Sequence, residues 1–210
     1  MRGAPYLTVL LLISLVAPVF SQPAMPAYLG GVGLKIHTGV WVPQGAASPV
    51  GSRPLFGGEL GMENHRLGLY FTVSGFGGKA DQPVSYMNEG VARQANKISG
   101  HFAQLTFAYS FLQWKQGCVQ GLFGAGSASM RPDGNSDHGG SWAFSLGTAY
   151  KYFLTPITPV DLQLKYHLLR YRNEGGTDLS GFPLTLTLGI GLFIPGCERP
   201  ARSNDMPLPG

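Results

Sequence analysis

The stretch FPLTLTLGIGLFI, residues 182–194, alternates strictly between large apolar side chains and small or polar ones. One face of such an extended chain carries Leu184, Leu186, Leu188, Ile190, Leu192 and Ile194. The opposite face carries Thr185, Thr187, Gly189 and Gly191. A period of two predicts a β-strand whose two faces meet different surroundings.

The same alternation recurs along the chain and predicts eight strands. It is clear in 30–42, 141–153 and 160–172, and four further strands are predicted at 56–63, 66–76, 99–111 and 117–130. Long connections, such as 43–55 and a loop of about 22 residues at 77–98, take turns with short ones. This pattern is typical of transmembrane β-barrels, so we predict an all-β fold, an eight-stranded antiparallel up-and-down transmembrane barrel.

The N-terminus has the three parts of a signal peptide. Arg2 is the positive region, Leu7 to Phe20 is an apolar run of about fourteen residues, and Val19 and Ser21 precede a cleavage site after Ser21. That run is too short to span a bilayer. Charged residues make up only 12% of the 210-residue chain, and the net charge of +4 is too mild to indicate a nucleic-acid partner.

Alternation alone does not say which face points inward. A soluble exported barrel of the lipocalin type would put the apolar face inside, and that reading stays open. Three features favour the apolar face outside: its side chains are bulky, the other face is rich in small residues, and aromatics lie near strand ends. Those aromatics are Trp142 at one end and Tyr109, Phe111, Tyr150 and Tyr152 at the other.

The last strand also matches the assembly signal of outer-membrane barrels, which consists here of Thr187, Gly189, Leu192 and Ile194. With the strand plan, residues 30–194 resemble the OmpA-type and OmpX-type barrel domains of Gram-negative outer membranes. In this topology the signal peptide 1–21 exports the chain and residues 22–29 form a periplasmic lead-in. The chain departs from the family by continuing past the last strand, and the Pro-rich, polar composition of 195–210 predicts a short disordered periplasmic tail. The resemblance also implies partners: periplasmic chaperones, the barrel-assembly machinery, outer-membrane lipid and lipopolysaccharide.

The polar face predicts a network of charged and amide side chains inside the barrel. Its members are Lys35, His37, Glu59, Arg66, Gln104, Lys151, Asp161, Gln163, Lys165 and His167. Buried charges must pair, because unpaired burial costs several kcal/mol. Two interpretations follow: a plug of ion pairs that fills the lumen, or a gated polar path for ions or small solutes.

We expect no enzyme, cofactor or metal site. Small barrels that deacylate lipid A use a His and a Ser two residues apart on one strand. The nearest candidate is His167, but residue 169 is a leucine and His167 falls on the interior face. Asp133 to Asp137 space oxygen ligands like the start of a calcium loop, but the sixth position is His138 where that loop needs glycine.

Two further pairs of residues each allow two interpretations of their role. Cys118 and Cys197 are the only cysteines; they form either a disulfide in an oxidising periplasm or two free thiols. Arg170 and Arg172 lie at the outer end of strand seven, where they contact lipopolysaccharide phosphates or water. The function expected is a structural, adhesive or surface-interaction role through extracellular loops, with a narrow pore as the alternative.

Overall fold

The computed structural model describes residues 30–64, 66–88, 90–114, 116–133, 140–171 and 178–196. The predicted signal peptide, lead-in and most of the tail therefore lie outside the described residues. Within them the chain forms eight strands and a single-turn 3₁₀ helix, Ser48–Val50. The strands are β1 (Gly31–Val42), β2 (Arg53–Asn64), β3 (Leu67–Asn88), β4 (Val91–Trp114), β5 (Gly117–Pro132), β6 (Gly140–Thr155), β7 (Thr158–Leu169) and β8 (Leu184–Pro195).

The strands close into one antiparallel barrel in which each pairs with its neighbours in the sequence. Closure comes from β1 and β8, whose register runs from Gly31 opposite Pro195 to Val42 opposite Leu184. The predicted fold class, an all-β, eight-stranded, up-and-down barrel, is confirmed. Full closure leaves no free edge strand along the barrel wall.

The wall has an apolar outer face and a polar inner face. On β8, Leu188 and Leu192 are 55% and 62% exposed, whereas Thr185 and Thr187, at the alternate positions of the strand, are buried. On β1, Leu34 and Ile36 point outward while Lys35 and His37 are buried. The hydrophobic residues therefore form the outer belt, which is the reverse of a water-soluble barrel. No helix among the described residues is long and apolar enough to cross a membrane.

The two ends of the barrel differ. At one end, which we call the turn end, short turns join β2 to β3, β4 to β5 and β6 to β7, and Gly31 and Pro195 lie beside them. At the opposite end, which we call the loop end, the connections 43–52 and 170–183 are longer, and Gly45 of the first bridges Gly181 of the second. The predicted alternation of short and long connections holds at these positions.

The predicted loop at 77–98 is wrong. Residues 77–88 continue β3, residues 91–98 begin β4, and the two strands form a hairpin that extends beyond the barrel wall at the loop end. A register shift between Lys79 and Val84 accommodates Pro83, which has no backbone N–H to give to a ladder. This hairpin extends beyond the apolar belt, so its sequence lacks the apolar alternation by which the other strands were predicted.

Candidate functional site

The interior of the barrel gathers most of the residues that the polar face predicted. Nine of them are buried there: Lys35, His37, Glu59, Gln104, Lys151, Asp161, Gln163, Lys165 and His167. They come from β1, β2, β4, β6 and β7, and alternation in each strand turns them inward.

Arg66 is the exception, and its predicted place in the lumen is wrong. It is exposed in the turn between β2 and β3, where its carbonyl accepts a 2.7 Å hydrogen bond from the Ser110 N–H. The reason is that β2 runs to Asn64, so residue 66 belongs to the turn and its guanidinium stays in water.

Nearest the turn end, the interior holds an ion pair between Lys151 and Glu63. The Tyr70 hydroxyl also donates to Glu63, and the Lys151 ammonium donates to that hydroxyl at 3.0 Å. Gln120 continues the network by donating to Tyr70 at 3.4 Å and to Ser110 at 3.1 Å. Both charges are thus paired and hydrogen-bonded, as burial requires.

One step deeper, a second ionic layer centres on Lys35. Its ammonium pairs with Glu59 at 2.6 Å and also with Asp161. Thr72 donates to Glu59 at 3.0 Å, and the Gln163 amide lies 3.4 Å from Asp161 and 3.5 Å from Glu59. One lysine therefore holds two carboxylates, from β2 and β7, against β1.

The third layer lies nearer the loop end and consists of hydrogen-bonded histidine, hydroxyl and amide side chains, with Lys165 beside them. His37 contacts the Ser74 hydroxyl at 3.0 Å, and His167 contacts Thr185 at 2.9 Å and Gln104 at 3.4 Å. Ser145 donates to Gln104 at 3.3 Å. These bonds link β1 to β3 and join β4, β6, β7 and β8 through side chains.

An apolar plug closes the barrel interior at the loop end. Trp41 stacks on Phe76 with ring centroids 4.2 Å apart, and Phe76 contacts Phe102 at 6.0 Å. Val50 of the 3₁₀ turn and Leu179 of the last loop fold into the same cluster. Arg53 fastens the turn to the hairpin, because it donates to the carbonyls of Val50 and Lys79 and pairs with Asp81 at 2.9 Å.

The interior as a whole is filled and electrically balanced. Its buried lysines, Lys35, Lys151 and Lys165, face an equal number of buried carboxylates, Glu59, Glu63 and Asp161. The two cavities found among these layers have volumes of about 20 Å³ each, room for roughly one water molecule. Lys165 borders the upper cavity, and among the described residues it has no carboxylate within ion-pair distance. Ion pairs, hydrogen bonds and an aromatic layer therefore fill the interior.

Sequence reasoning missed two groups in the interior. Glu63 lies four residues beyond Glu59 on the same inward face, so alternation alone identifies it. The second group is Trp41, Phe76 and Phe102, which occupy inward positions of β1, β3 and β4 in phase with the polar residues there. An aromatic residue at an inward position of the alternation is the signal that identifies them.

The predicted assembly signal divides between the two faces. Leu192 and Ile194 are exposed on the outer wall, and Thr187 is buried inside. At Gly189 a Cβ atom would lie 2.7 Å from Asp161 Oδ1 and 2.7 Å from Lys35 Cδ. The glycine of the signal therefore also makes room for the central ion pair.

The remaining candidates are placed only in part. Cys118 is buried at the start of β5, and Cys197 lies outside the described residues, so the disulfide stays a prediction. Arg170 is exposed at the end of β7, and Arg172 is outside the described part. Across the described ranges no group of three His, Cys, Asp or Glu side chains is arranged to hold a metal ion.

Comparisons with known proteins agree with this architecture. No family model and no curated protein matches the sequence. Among solved structures, Neisserial surface protein A (NspA) superposes with a TM-score of 0.52 at 13% identity, over 79% of this chain and 97% of that one. Ail, the attachment invasion locus protein of Yersinia pestis, gives 0.43 at 13% identity, over 79% and 97%. The N-terminal β-barrel domain of Pseudomonas aeruginosa OprF gives 0.43 at 17% identity, over 79% and 99%.

At this identity the likeness to NspA concerns the fold. It covers nearly all of that protein and most of this chain, and it matches the closed eight-stranded barrel described above. The predicted resemblance to small eight-stranded outer-membrane barrels is thereby confirmed at the level of the fold.

Proposed function

We propose that this chain is an outer-membrane surface protein, a barrel anchored by its apolar wall that presents its loop end to the surroundings. The observation that carries the proposal is the partition of side chains: large hydrophobic residues cover the outside while three lysines and three carboxylates are buried inside. In water this arrangement would expose an apolar belt far larger than a soluble monomer tolerates. In a bilayer the same belt faces hydrocarbon.

Export and insertion are parts of the same proposal. Residues 1–21 direct export, Gln22 begins the mature chain, and the tail from 195 stays in the periplasm. Periplasmic chaperones and the barrel-assembly machinery receive the chain through Thr187, Gly189, Leu192 and Ile194, and outer-membrane lipid and lipopolysaccharide surround the folded wall. N-terminal sequencing of the membrane-embedded protein should start at Gln22; a start at Met1 would contradict export by cleavage.

The blocked interior of the barrel favours a structural and surface-interaction role over conduction. A solute would have to pass the Trp41–Phe76 stack and two layers of interlocked ion pairs, with cavities of about 20 Å³ between them. Function then belongs to the loop end, where rigid scaffolds usually carry their binding segments. The β3–β4 hairpin is the largest element there.

Cell fractionation with heat-modifiability tests the anchoring. The protein should sediment with the outer membrane and run faster on an SDS gel when unboiled, because a closed barrel resists SDS at room temperature. Recovery in the soluble periplasmic fraction, with no shift on boiling, would overturn the proposal and indicate a soluble barrel.

Planar-bilayer recording tests the choice between surface barrel and pore. The purified protein should give no steady conductance steps. Reproducible steps that respond to Lys35→Met, with heat-modifiability preserved, would favour the narrow pore instead.

A further inference from the structure

We propose that the outer wall of β3, β4 and β5 carries a binding site for the phosphorylated headgroup of lipopolysaccharide, built from Lys79, Lys97 and Arg131. The inference rests on the proposed function, because it requires this wall to stand in the outer leaflet. It goes further by naming which lipid group is bound and which residues bind it.

The first observation is an unusual pairing of like charges. Lys79 and Lys97 are directly opposite each other on β3 and β4, which places their Cα atoms about 4.5–5.5 Å apart. Both side chains are exposed, and neither forms an ion pair within the described residues. Like charges directly opposite in a sheet are destabilising, and an anion bound between them removes that repulsion.

A third cation completes the cluster on the same outward face. Arg131 of β5 is opposite Ser99, two residues along β4 from Lys97, which makes Arg131 and Lys97 diagonal neighbours at about 7–8 Å. Asp133 borders the same surface, and Arg53 nearby is already paired with Asp81. The cluster therefore keeps a net positive charge.

The second observation is a cleft beside these side chains. It has a volume of about 540 Å³, within the range of ligand sites. Gly77 and Gly78 form part of its wall, and a Cβ on Gly77 would meet no atom closer than 3.9 Å, so bare backbone leaves space for a sugar. Ser99 and Arg131 supply hydroxyl and guanidinium donors, the groups that bind phosphate oxygens.

The height of the cluster along the barrel wall favours a lipid over a soluble anion as its ligand. Along β4 the outward residues run from Phe111 through Tyr109, Phe107 and Leu105 to His101, a span of ten residues. At the rise and tilt of barrel strands this is about 25 Å, the usual height of the apolar band of outer-membrane barrels, and the bulky apolar side chains of β4 occupy its lower part up to Leu105. Lys97 lies four residues further, about 10 Å above that edge by the same rise, at the depth of lipid headgroups and below the hairpin tip.

The wall beneath the cluster is also suited to acyl chains. Between the cations and the bulky residues Phe71, Leu105 and Phe123, most outward positions of the three strands hold small side chains or none: Gly75, Ala103, Ala125, Ser127 and Ser129. Val73 and His101 are the larger outward side chains at this height, and the surface around them is shallow. A lipid whose phosphates contact the cations can lay its chains along this part of the wall.

Lipid-binding measurements on the full-length mature chain in detergent micelles test the site. The probes are diphosphorylated lipid A, the same lipid with both phosphates removed, inorganic phosphate and heparin. Wild-type protein should bind diphosphorylated lipid A at least tenfold more tightly than the dephosphorylated form. The double variant Lys79→Gln/Lys97→Gln should lose most of that difference, whereas Arg93→Gln, an exposed cation nearer the hairpin tip, should keep it.

Several outcomes would overturn the inference. They are equal affinity of wild type and the double variant for diphosphorylated lipid A, displacement of the lipid by millimolar inorganic phosphate, and tighter binding of heparin than of lipid A at the same residues, which would mark a soluble polyanion site. Heat-modifiability of each variant separates the two proposals. A barrel that shifts on boiling but ignores lipid phosphate refutes only this site, whereas a chain that forms no heat-modifiable barrel refutes the membrane anchoring itself.

Discussion

At the scale of single residues, Lys35 is the centre of the interior. One ammonium neutralises both Glu59 and Asp161 in a space from which water is largely excluded. Removing one partner of a buried ion pair leaves an uncompensated charge, which costs far more than the pair itself contributes.

We therefore expect Lys35→Met to lower the free energy of unfolding by about 3–5 kcal/mol, as measured by urea titration in micelles. Adding Glu59→Gln and Asp161→Asn should restore much of the loss, because the two carboxylates no longer repel each other. Lys97→Met, a change at an exposed lysine, serves as the control and should have little effect. Equal effects of the two lysine changes would show that the central ion pair is not structural.

Gly189 gives a second prediction at this scale. Its missing Cβ makes room for Asp161 and Lys35, so Gly189→Ala should force both side chains to shift, and such overpacking costs typically about 1–3 kcal/mol. Gly121→Ala is the matched control, because no atom lies within 4 Å of the Cβ it would add. If the two alanine variants unfold at the same urea concentration, Gly189 has no packing role.

At the scale of elements, strands were predictable wherever their two faces met different media. The alternation in β1, β6, β7 and β8 is strong because each of these strands has the apolar outer face of the wall on one side and the packed lumen on the other. The outer parts of β3 and β4 have no such contrast: Gly77, Gly78 and Pro83 break the pattern, and the hairpin is defined by cross-strand pairing. Backbone pairing leaves no period in the sequence, so this hairpin was predicted as a loop.

The aromatic plug was missed for a related reason. Trp41 and Phe102 are ordinary strand residues by composition, and only the three-dimensional closure brings them to Phe76. The polar partners were easier to predict, because a charged residue at an inward position of a narrow barrel must lie in the lumen. Which carboxylate pairs with which lysine depends on barrel register, and the sequence carries no local signal for it.

We expect the β3–β4 hairpin to lie on the cell exterior, which fixes the orientation of the barrel in the membrane. In a Cys118→Ser/Cys197→Ser background, Val91→Cys at the hairpin tip should react with a membrane-impermeant maleimide on intact cells. Gln116→Cys, in a turn at the opposite end, should react only after the outer membrane is permeabilised. Labelling of Gln116→Cys alone on intact cells would mean that the barrel is inserted the other way up.

At the scale of the whole molecule, two distributions of side chains support each other. Large apolar residues have a place on the outside only if the medium there is hydrocarbon, and the buried charges balance because three lysines and three carboxylates share one lumen. A filled interior makes the barrel a rigid scaffold and leaves its outer surfaces as the places where ligands can bind. Both the surface role and the lipid site depend on that choice of faces.

Spin labels along β8 test the choice of faces most directly. Single cysteines at successive positions from 185 to 192, in a Cys118→Ser/Cys197→Ser background reconstituted into bilayers, would carry nitroxides whose accessibility to oxygen is recorded. We predict maxima at 186, 188, 190 and 192 and minima at the positions between them, as expected for a wall with hydrocarbon outside and a packed lumen inside. Maxima at 185, 187, 189 and 191, or no alternation, would contradict the account.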